Sequence, residues 1–163
     1  MMSVDQRISR LHSVIDDSRL PENDAWLNPE IDEIFSFDTP SEILRELEKS
    51  SSPWAKETSK LLHKRSPLML HVSLRQIKLG RNMSLADELR LERTLVQHCF
   101  YTNHLQRVGA QTETVEGIRA LAIDKDHSPT WNPARIEDVT KSMVDPFFKS
   151  PWLEDEHPLA DLK

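Results

Sequence analysis

Glycine is scarce in this sequence, and the shortage argues against several kinds of site. Only 3 of the 163 residues are glycine, whereas phosphate-cradling loops and backbone oxyanion holes usually draw on glycine-rich turns. Because Gly80, Gly109 and Gly117 are far apart, neither a nucleotide loop nor a nucleophile elbow is predicted. We expect Gly80 and Gly109 at helix ends, with Gly80 as the residue just after its helix, and Gly117 to permit close packing within a helix.

Cysteine and long apolar runs are also lacking. The single cysteine, Cys99, cannot form a disulfide within the chain, which favours a reducing compartment without excluding secretion. No apolar run approaches the roughly 20 residues that cross a bilayer. The N-terminal segment has no apolar signal core, and Asp5, Asp16 and Asp17 suit a transit peptide poorly. Either such a signal is not used, or the true N-terminus precedes Met1.

Positive charge is in the minority. The formal net charge is −6, with 21 Lys and Arg against 27 Asp and Glu. An acidic chain has no bulk reason to bind nucleic acid or an anionic membrane, although local basic patches can still do so.

Helix signals dominate, and no stretch shows convincing strand alternation, so the predicted fold class is mainly α. Several prolines follow a residue of the helix-capping type, where the missing N–H costs nothing because that donor has no helical partner. Five such dipeptides predict helix starts: Asn28–Pro29, Thr39–Pro40, Ser52–Pro53, Ser66–Pro67 and Asn132–Pro133.

Three further helices follow from spacing and capping. Val4, Ile8, Leu11 and Ile15 recur at helical intervals and predict a first helix. Ser84 caps the longest helix, with Asp87 three residues on, and another helix covers the sequence VEGIRALAI. The residues that share one face of the longest helix are Leu85, Leu89, Val96 and Cys99.

The titratable residues do not form a recognisable catalytic or metal motif. Adjacent His98 and Cys99 point about 100° apart on a helix, which is poor geometry for a thiolate–imidazole pair. We therefore predict no metal ligand, no cofactor and no catalytic residue. The seven histidines, none at a metal-like spacing, are His12, His63, His71, His98, His104, His127 and His157.

The stretch EGIRALAIDKDHSPTWNP, residues 116–133, has two interpretations. On the structural one, Lys125 complements the dipole at a helix end, and the Trp131 ring fills a gap beside the helix. On the other, the concentration of charged residues carries chemistry. The physical arguments favour the structural interpretation without excluding the second.

This stretch resembles the C-terminal signature of 3-hydroxyisobutyryl-CoA hydrolases, a branch of the crotonase (enoyl-CoA hydratase/isomerase) superfamily. Two upstream segments, IDEIFSFDTPSEILREL and SPLMLHVSLRQIKLGRNMSLADELRLERTLVQHC, resemble the preceding regions of the same proteins. The resemblance runs from about residue 28 to about residue 150. It implies the C-terminal helical portion of a crotonase-like fold, without the N-terminal ββα-spiral core. The implied division is an N-terminal helix and loop over 1–27, the crotonase-type helical region over 28–150, and a tail over 151–163.

The resemblance also implies a function. Such hydrolases cleave the thioester of 3-hydroxyisobutyryl-CoA in valine breakdown, typically in mitochondria, and their oxyanion-hole amides and catalytic acids lie in the spiral core. No catalytic residue is therefore carried over to this chain. In related crotonases a lysine of the matching segment approaches the CoA adenine, sometimes from a neighbouring subunit. Lys125 is the matching position, at a spacing from Glu116 that differs by a residue.

Three roles remain open. The first is a fragment or truncated form of such a hydrolase, inactive alone, whose partners are an acyl-CoA and the spiral core or another subunit, with a homo-oligomer possible. The second is a non-catalytic component of the mitochondrial small ribosomal subunit, which Lys64, Arg65, Lys78 and Arg81 would serve by meeting RNA phosphates. The third is a structural partner of a separately encoded N-terminal half. Exposed apolar stripes predict aggregation or oligomers.

Overall fold

The described part of the chain consists mainly of helices joined by loops. The computed structural model describes residues 28–162, within which there is no β-strand, so the mainly α prediction is confirmed. The predicted helix over Val4–Ile15 and the segment 1–27 lie outside the described residues. No helix within 28–162 is long and apolar enough to span a membrane. The chain divides into two compact units, one ending at Ser36 and the other beginning at Phe37.

One helix of the described residues belongs to the first unit, and six belong to the second. The first unit contains α1, Pro29–Ile34. The second contains α2 Pro40–Lys49, α3 Pro53–His63, α4 Pro67–Gly80, α5 Leu85–Phe100, α6 Glu113–Ile118 and α7 Lys141–Val144. A π-helical turn, Arg119–Ile123, continues α6. Short 3₁₀ turns cover Asn103–Leu105, Gly109–Gln111, Ile136–Asp138, Asp145–Phe148 and Glu154–Glu156.

Four of the five predicted proline starts are confirmed. Ser52 and Ser66 each accept the backbone N–H three residues on, and Asn28 accepts the N–H of Glu30 at 3.0 Å. Thr39 and Glu42 form the reciprocal capping box. Ser84 likewise caps α5. Side-chain acceptors therefore satisfy N–H groups that the first helical turn leaves unpaired.

The fifth start, at Asn132–Pro133, is wrong. No helix begins there, the peptide bond is cis, and only the 3₁₀ turn Ile136–Asp138 follows. The backbone of Asn132 is used in tertiary contacts instead. Its N–H donates to Glu113 Oε1 at 3.0 Å, and its carbonyl accepts from Arg107. Asn132 is therefore a docking residue of a loop and not a helix cap.

Two glycines differ from their predicted positions. Gly80 is the last residue of α4 rather than the residue after it, and it has no left-handed φ. A β-carbon at Gly80 would lie 2.8 Å from Glu88 Oε2, so a larger residue there would displace this flexible carboxylate. Gly109 begins a 3₁₀ turn at φ 53°, a conformation that glycine adopts without strain, and does not end a long helix.

The core joins α4 and α5 to α7 and to the 3₁₀ turn that follows α7. Its buried members are Leu68, Val72, Leu95, Val144 and Phe147. Helix α5 packs against α6 and against the 3₁₀ turn Asp145–Phe148, α4 packs against α7, and α2 packs against α3. The 3₁₀ turn Asp145–Phe148, which we group with the later turns as the C-terminal turns, therefore packs on the same helix, α5, as α6 does.

The C-terminal residues dock on α5. Arg90 donates from Nε to the Leu159 carbonyl at 3.0 Å and from Nη2 to the Ala160 carbonyl at 3.3 Å, and it also binds the Leu162 carbonyl. The guanidinium of Arg93 stacks 4.8 Å from the centroid of the Trp152 ring. Two arginines on one helix therefore fasten residues that sequence analysis treats as a tail.

Candidate functional site

Residues 116–133 fold around the guanidinium group of Arg119. We call Arg119 and its partners Glu116, Asp124, Asp126 and Ser128 the Arg119 clamp. Arg119 grips the Glu116 carboxylate through two hydrogen bonds of 2.8 Å. The same guanidinium reaches Asp124 at 2.6 Å and Asp126 at 2.7 Å, and donates to the Ser128 carbonyl at 3.2 Å. Bidentate and charge-assisted bonds of this kind fix orientation as well as adding stability.

The clamp changes the titration of its acids. Hydrogen bonds from Arg119, and then from the Thr130 N–H at 2.6 Å, lower the pKa of Glu116 to about 2. Bonds from Arg119 and from the Ser128 N–H also lower the pKa of Asp126. The surrounding carboxylates raise the pKa of Arg119 itself. Glu116, Asp126 and Arg119 therefore stay charged at neutral pH.

A pH prediction follows from Glu116. A carboxyl whose folded-state pKa is lowered contributes stability above its unfolded pKa, and that stability is lost as pH falls through the folded value. For Glu116 the loss should fall between about 4.5 and about 2. Carboxyl ¹³C NMR titration is expected to show a Glu116 midpoint near 2, and the Arg119→Met variant should move it up towards 4.5. An unchanged midpoint in the variant would contradict the clamp.

A second acid, Glu113, ties the same loop to α4. Its side chain accepts the Ser66 hydroxyl and the Asn132 N–H, and it lies 3.6 Å from Arg107 Nη1. Burial raises the pKa of Glu113 despite these donors. Glu113 was not predicted as a site residue, because its partners are remote in sequence. Its only local signal is its position at the start of a helix.

These two acids line a cleft of about 430 Å³ together with Arg107. A carboxylate that acts as a general base must reach a substrate proton. Both oxygens of Glu113 already accept hydrogen bonds or face Arg107, and both oxygens of Glu116 accept hydrogen bonds. The arrangement is suited to holding the loop in place, and it offers no free base.

Trp131 completes the loop as the structural interpretation expects. Its ring lies against Gly117, where an added β-carbon would be 3.4 Å from the ring carbon Cη2. Its indole N–H donates to the Lys64 carbonyl at 3.1 Å. The close packing predicted at Gly117 is therefore present, with the Trp131 ring as the neighbour.

Lys125, the predicted CoA contact, lies at the surface, within the loop that the Arg119 clamp holds. The residue adopts φ 56°, and His127 adopts φ 53°, both left-handed conformations that non-glycine residues seldom take. The His127 N–H donates to the Ala120 carbonyl at 3.0 Å, which closes the turn. Lys125 is exposed, and within residues 28–162 no acid pairs with its ammonium, because Asp124 and Asp126 are held by Arg119.

The other residues selected from sequence do not converge on a site. His98 donates to the Lys149 carbonyl at 2.8 Å rather than pairing with Cys99, and burial raises the pKa of the Cys99 thiol. Among the described residues no group of three His, Cys, Asp or Glu side chains is arranged to hold a metal.

The four basic residues considered for RNA contact lie in two pairs, one at each end of α4. Lys64 and Arg65 precede α4, whereas Arg81 follows it, and a helix of 14 residues is about 21 Å long. Lys78 is already paired with Asp38 at 2.6 Å. The described structure therefore does not gather these residues into one patch.

Helix α5 is apolar on the side that faces away from the core. Leu85, Leu89, Val96 and Phe100 fall within about 60° of one another at 100° per residue. They are 77%, 36%, 51% and 43% exposed, and we call them the outer stripe. Cys99, predicted on the same face, lies at its edge and packs against the core instead.

Comparison with known proteins gives the family. A family model described as enoyl-CoA hydratase/isomerase matches residues 2–148. The chain belongs to the enoyl-CoA hydratase/isomerase family. The solved structure of a carnitinyl-CoA dehydratase from Mycobacterium thermoresistibile, a protein of crotonase fold, superposes with a TM-score of 0.69 at 27% identity, covering 95% of this chain and 45% of that one. The chain thus corresponds to the helical portion of the crotonase fold.

Relatives within the enoyl-CoA hydratase/isomerase family include both hydrolases and a ribosomal protein. The chain is 40% identical to the probable 3-hydroxyisobutyryl-CoA hydrolase 2 of Arabidopsis thaliana over 137 residues, which is 82% of this chain and 34% of the relative. It is 38% identical to the mitochondrial 3-hydroxyisobutyryl-CoA hydrolase of Gallus gallus over 119 residues, 73% of this chain and 29% of the relative. It is 35% identical to the small ribosomal subunit protein mS47 of Arabidopsis thaliana, over 82% of this chain and 32% of that protein. The chain spans about a third of the length of these curated relatives.

Proposed function

We propose that this chain is the helical part of a mitochondrial 3-hydroxyisobutyryl-CoA hydrolase-like protein, in which Lys125 contacts the CoA moiety. The 116–133 loop carries the proposal. The Arg119 clamp occupies the neighbouring carboxylates and leaves the Lys125 ammonium without an acidic partner among the described residues. An unpaired, outward-pointing cation on a rigid turn suits an anionic ligand such as CoA.

Hydrolysis of the thioester requires donors aimed at the developing oxyanion and a group that activates water. In this proposal those groups come from a ββα-spiral core, and the 163 residues alone do not turn over substrate. The outer stripe of α5 is the surface that this core covers, because an apolar stripe along a 16-residue helix is costly to leave in water.

The proposal is tested with a chimaera. The N-terminal two-thirds of the Arabidopsis hydrolase is joined to residues 28–162 of this chain, and release of CoA thiol from 3-hydroxyisobutyryl-CoA is measured. We expect turnover by the chimaera and none by the isolated chain. Turnover by the isolated chain, or an inactive chimaera whose circular dichroism and elution volume match those of the intact hydrolase, would overturn the proposal.

Lys125 gives a sharper prediction in the same chimaera. Lys125→Ala is expected to raise KM by about tenfold with kcat nearly unchanged, because a contact remote from the thioester contributes equally to substrate and transition-state binding. The matched control is Lys60→Ala, which removes an exposed lysine from α3. Equal values of KM and kcat in the two variants would show that Lys125 does not contact CoA.

A scaffold role is the second candidate, since the ribosomal relative mS47 matches the same share of this chain as the first hydrolase. On this alternative the helical part serves assembly, and the proposed activity is absent. Co-sedimentation with mitochondrial small subunits at increasing salt distinguishes the two. Phosphate contacts weaken steeply with salt, so salt-sensitive co-sedimentation together with an inactive chimaera would favour the scaffold.

A further inference from the structure

Two histidines bind backbone carbonyls of the C-terminal region: His98 on α5, and His104 in the 3₁₀ turn Asn103–Leu105 that follows α5. His98 Nε2 lies 2.8 Å from the Lys149 carbonyl, and His104 Nε2 lies 2.9 Å from the Met143 carbonyl. The two rings are 6.2 Å apart, and the His104 ring packs edge-on against Phe147 at 5.1 Å. Phe147 is 1% exposed, so this contact reaches the centre of the core.

The bonding pattern fixes where each proton lies. A carbonyl oxygen can only accept, so each Nε2 must donate, and the neutral ring of His104 then has a bare Nδ1. That Nδ1 is buried and has no hydrogen-bond partner. Protonating Nδ1 would turn it into a buried N–H donor without an acceptor. The ring would also carry a positive charge, which is costly to bury without a compensating partner.

Burial is the main cause that lowers the pKa of His104, and the positive charges of His98 on α5 and of Arg107 lower it further. The hydrogen bond to the Met143 carbonyl opposes this shift, but the pKa is lowered overall. Asp145, two residues after Met143, is bound to Arg75 at 2.6 Å and to Lys141. Within residues 28–162, no carboxylate is among the groups that shift the pKa of His104.

We propose that His104 is an acid-sensitive latch that secures the α7–Phe148 segment to the 3₁₀ turn Asn103–Leu105 at neutral pH and weakens this attachment on acidification. The direction of the pH effect follows from the linkage between proton binding and folding stability. A histidine held neutral in the folded state contributes stability above its unfolded pKa of about 6.5, and this stability is lost as pH falls below that value. At pH 5.5 one such site changes the opening equilibrium by at most about tenfold.

The test is hydrogen–deuterium exchange of the full chain at pH 7.5 and pH 5.5, corrected for intrinsic rates. Peptides over residues 143–149 are expected to lose protection by up to about tenfold at pH 5.5. His104→Gln keeps a donor for the Met143 carbonyl but cannot titrate, so it should abolish this loss. His63→Gln, at an exposed histidine paired with Glu48 at 2.9 Å, is the matched control and should retain it.

Two readouts keep the test decisive. His71 also has a burial-lowered pKa, but its neighbouring carbonyl is that of Ile136, so its titration is read in peptides over 134–140 instead. Long-range ¹H–¹⁵N spectra of the unsubstituted chain should show His104 as the Nε2–H tautomer at pH 7.5. The opposite tautomer, or an equal loss of protection in His104→Gln, would overturn the latch.

Discussion

Phe147→Ala is expected to lower the free energy of unfolding by about 3–5 kcal/mol, the range for removing a fully buried aromatic ring from a core. Phe147 is 1% exposed, belongs to the same buried cluster as Leu68, Val72 and Leu95, and packs against the His104 ring. The cavity would lie where the C-terminal turns meet α4 and α5. Urea unfolding followed by circular dichroism measures the change through the midpoint at constant m-value.

The adjacent phenylalanine is the control. Phe148 is only partly buried and stacks its ring 4.2 Å from the Arg75 guanidinium, so Phe148→Ala should cost about 1–2 kcal/mol. Equal losses in the two variants would show that Phe147 does not anchor the core as the structure indicates.

Charging the outer stripe is expected to have the largest effect on association. The isolated chain should self-associate, because the stripe is apolar along α5 and nothing among residues 28–162 covers it. Leu89→Glu combined with Val96→Glu removes roughly 3 kcal/mol or more of apolar burial from such contacts, a change of about a hundredfold or more in Kd. Sedimentation velocity across a concentration series measures the shift to monomer.

A charge-matched variant separates the stripe from a general effect of net charge. Ser73→Glu combined with Gln111→Glu adds two carboxylates at exposed positions outside the stripe, and it should associate like the unsubstituted chain. In the chimaera the stripe variant should also lose activity, since the core can no longer cover α5. A monomeric unsubstituted chain that melts sharply would contradict the prediction for the stripe.

The local features of the fold were predictable from the sequence, and the contacts between remote residues were not. The caps at Thr39, Ser66 and Ser84 were predictable because each side-chain oxygen accepts the backbone N–H three residues on. Lys125 was selected only through the family resemblance, since one exposed lysine carries no signal of its own, and its role stays a prediction. The fold class and the family are confirmed.

The contacts that shape the candidate site could not be predicted from local patterns. Ser66 and Glu113 are 47 residues apart, and Arg90 meets the Leu159 carbonyl 69 residues away. Pairings over such distances depend on how helices pack, and one sequence without aligned relatives does not reveal that. The same reason explains Asn132, whose capping signal was overridden by contacts with Arg107 and Glu113.

The π-helical turn Arg119–Ile123 lies within the segment 116–133, and it affects how this segment aligns between branches of the family. A π-helical turn holds more residues than an α-helical one for a similar advance along the axis, so it absorbs an inserted residue without carrying the following chain out of place. A one-residue difference in the spacing from Glu116 to Lys125, which the family resemblance implies, is a change of the size that such a turn accommodates.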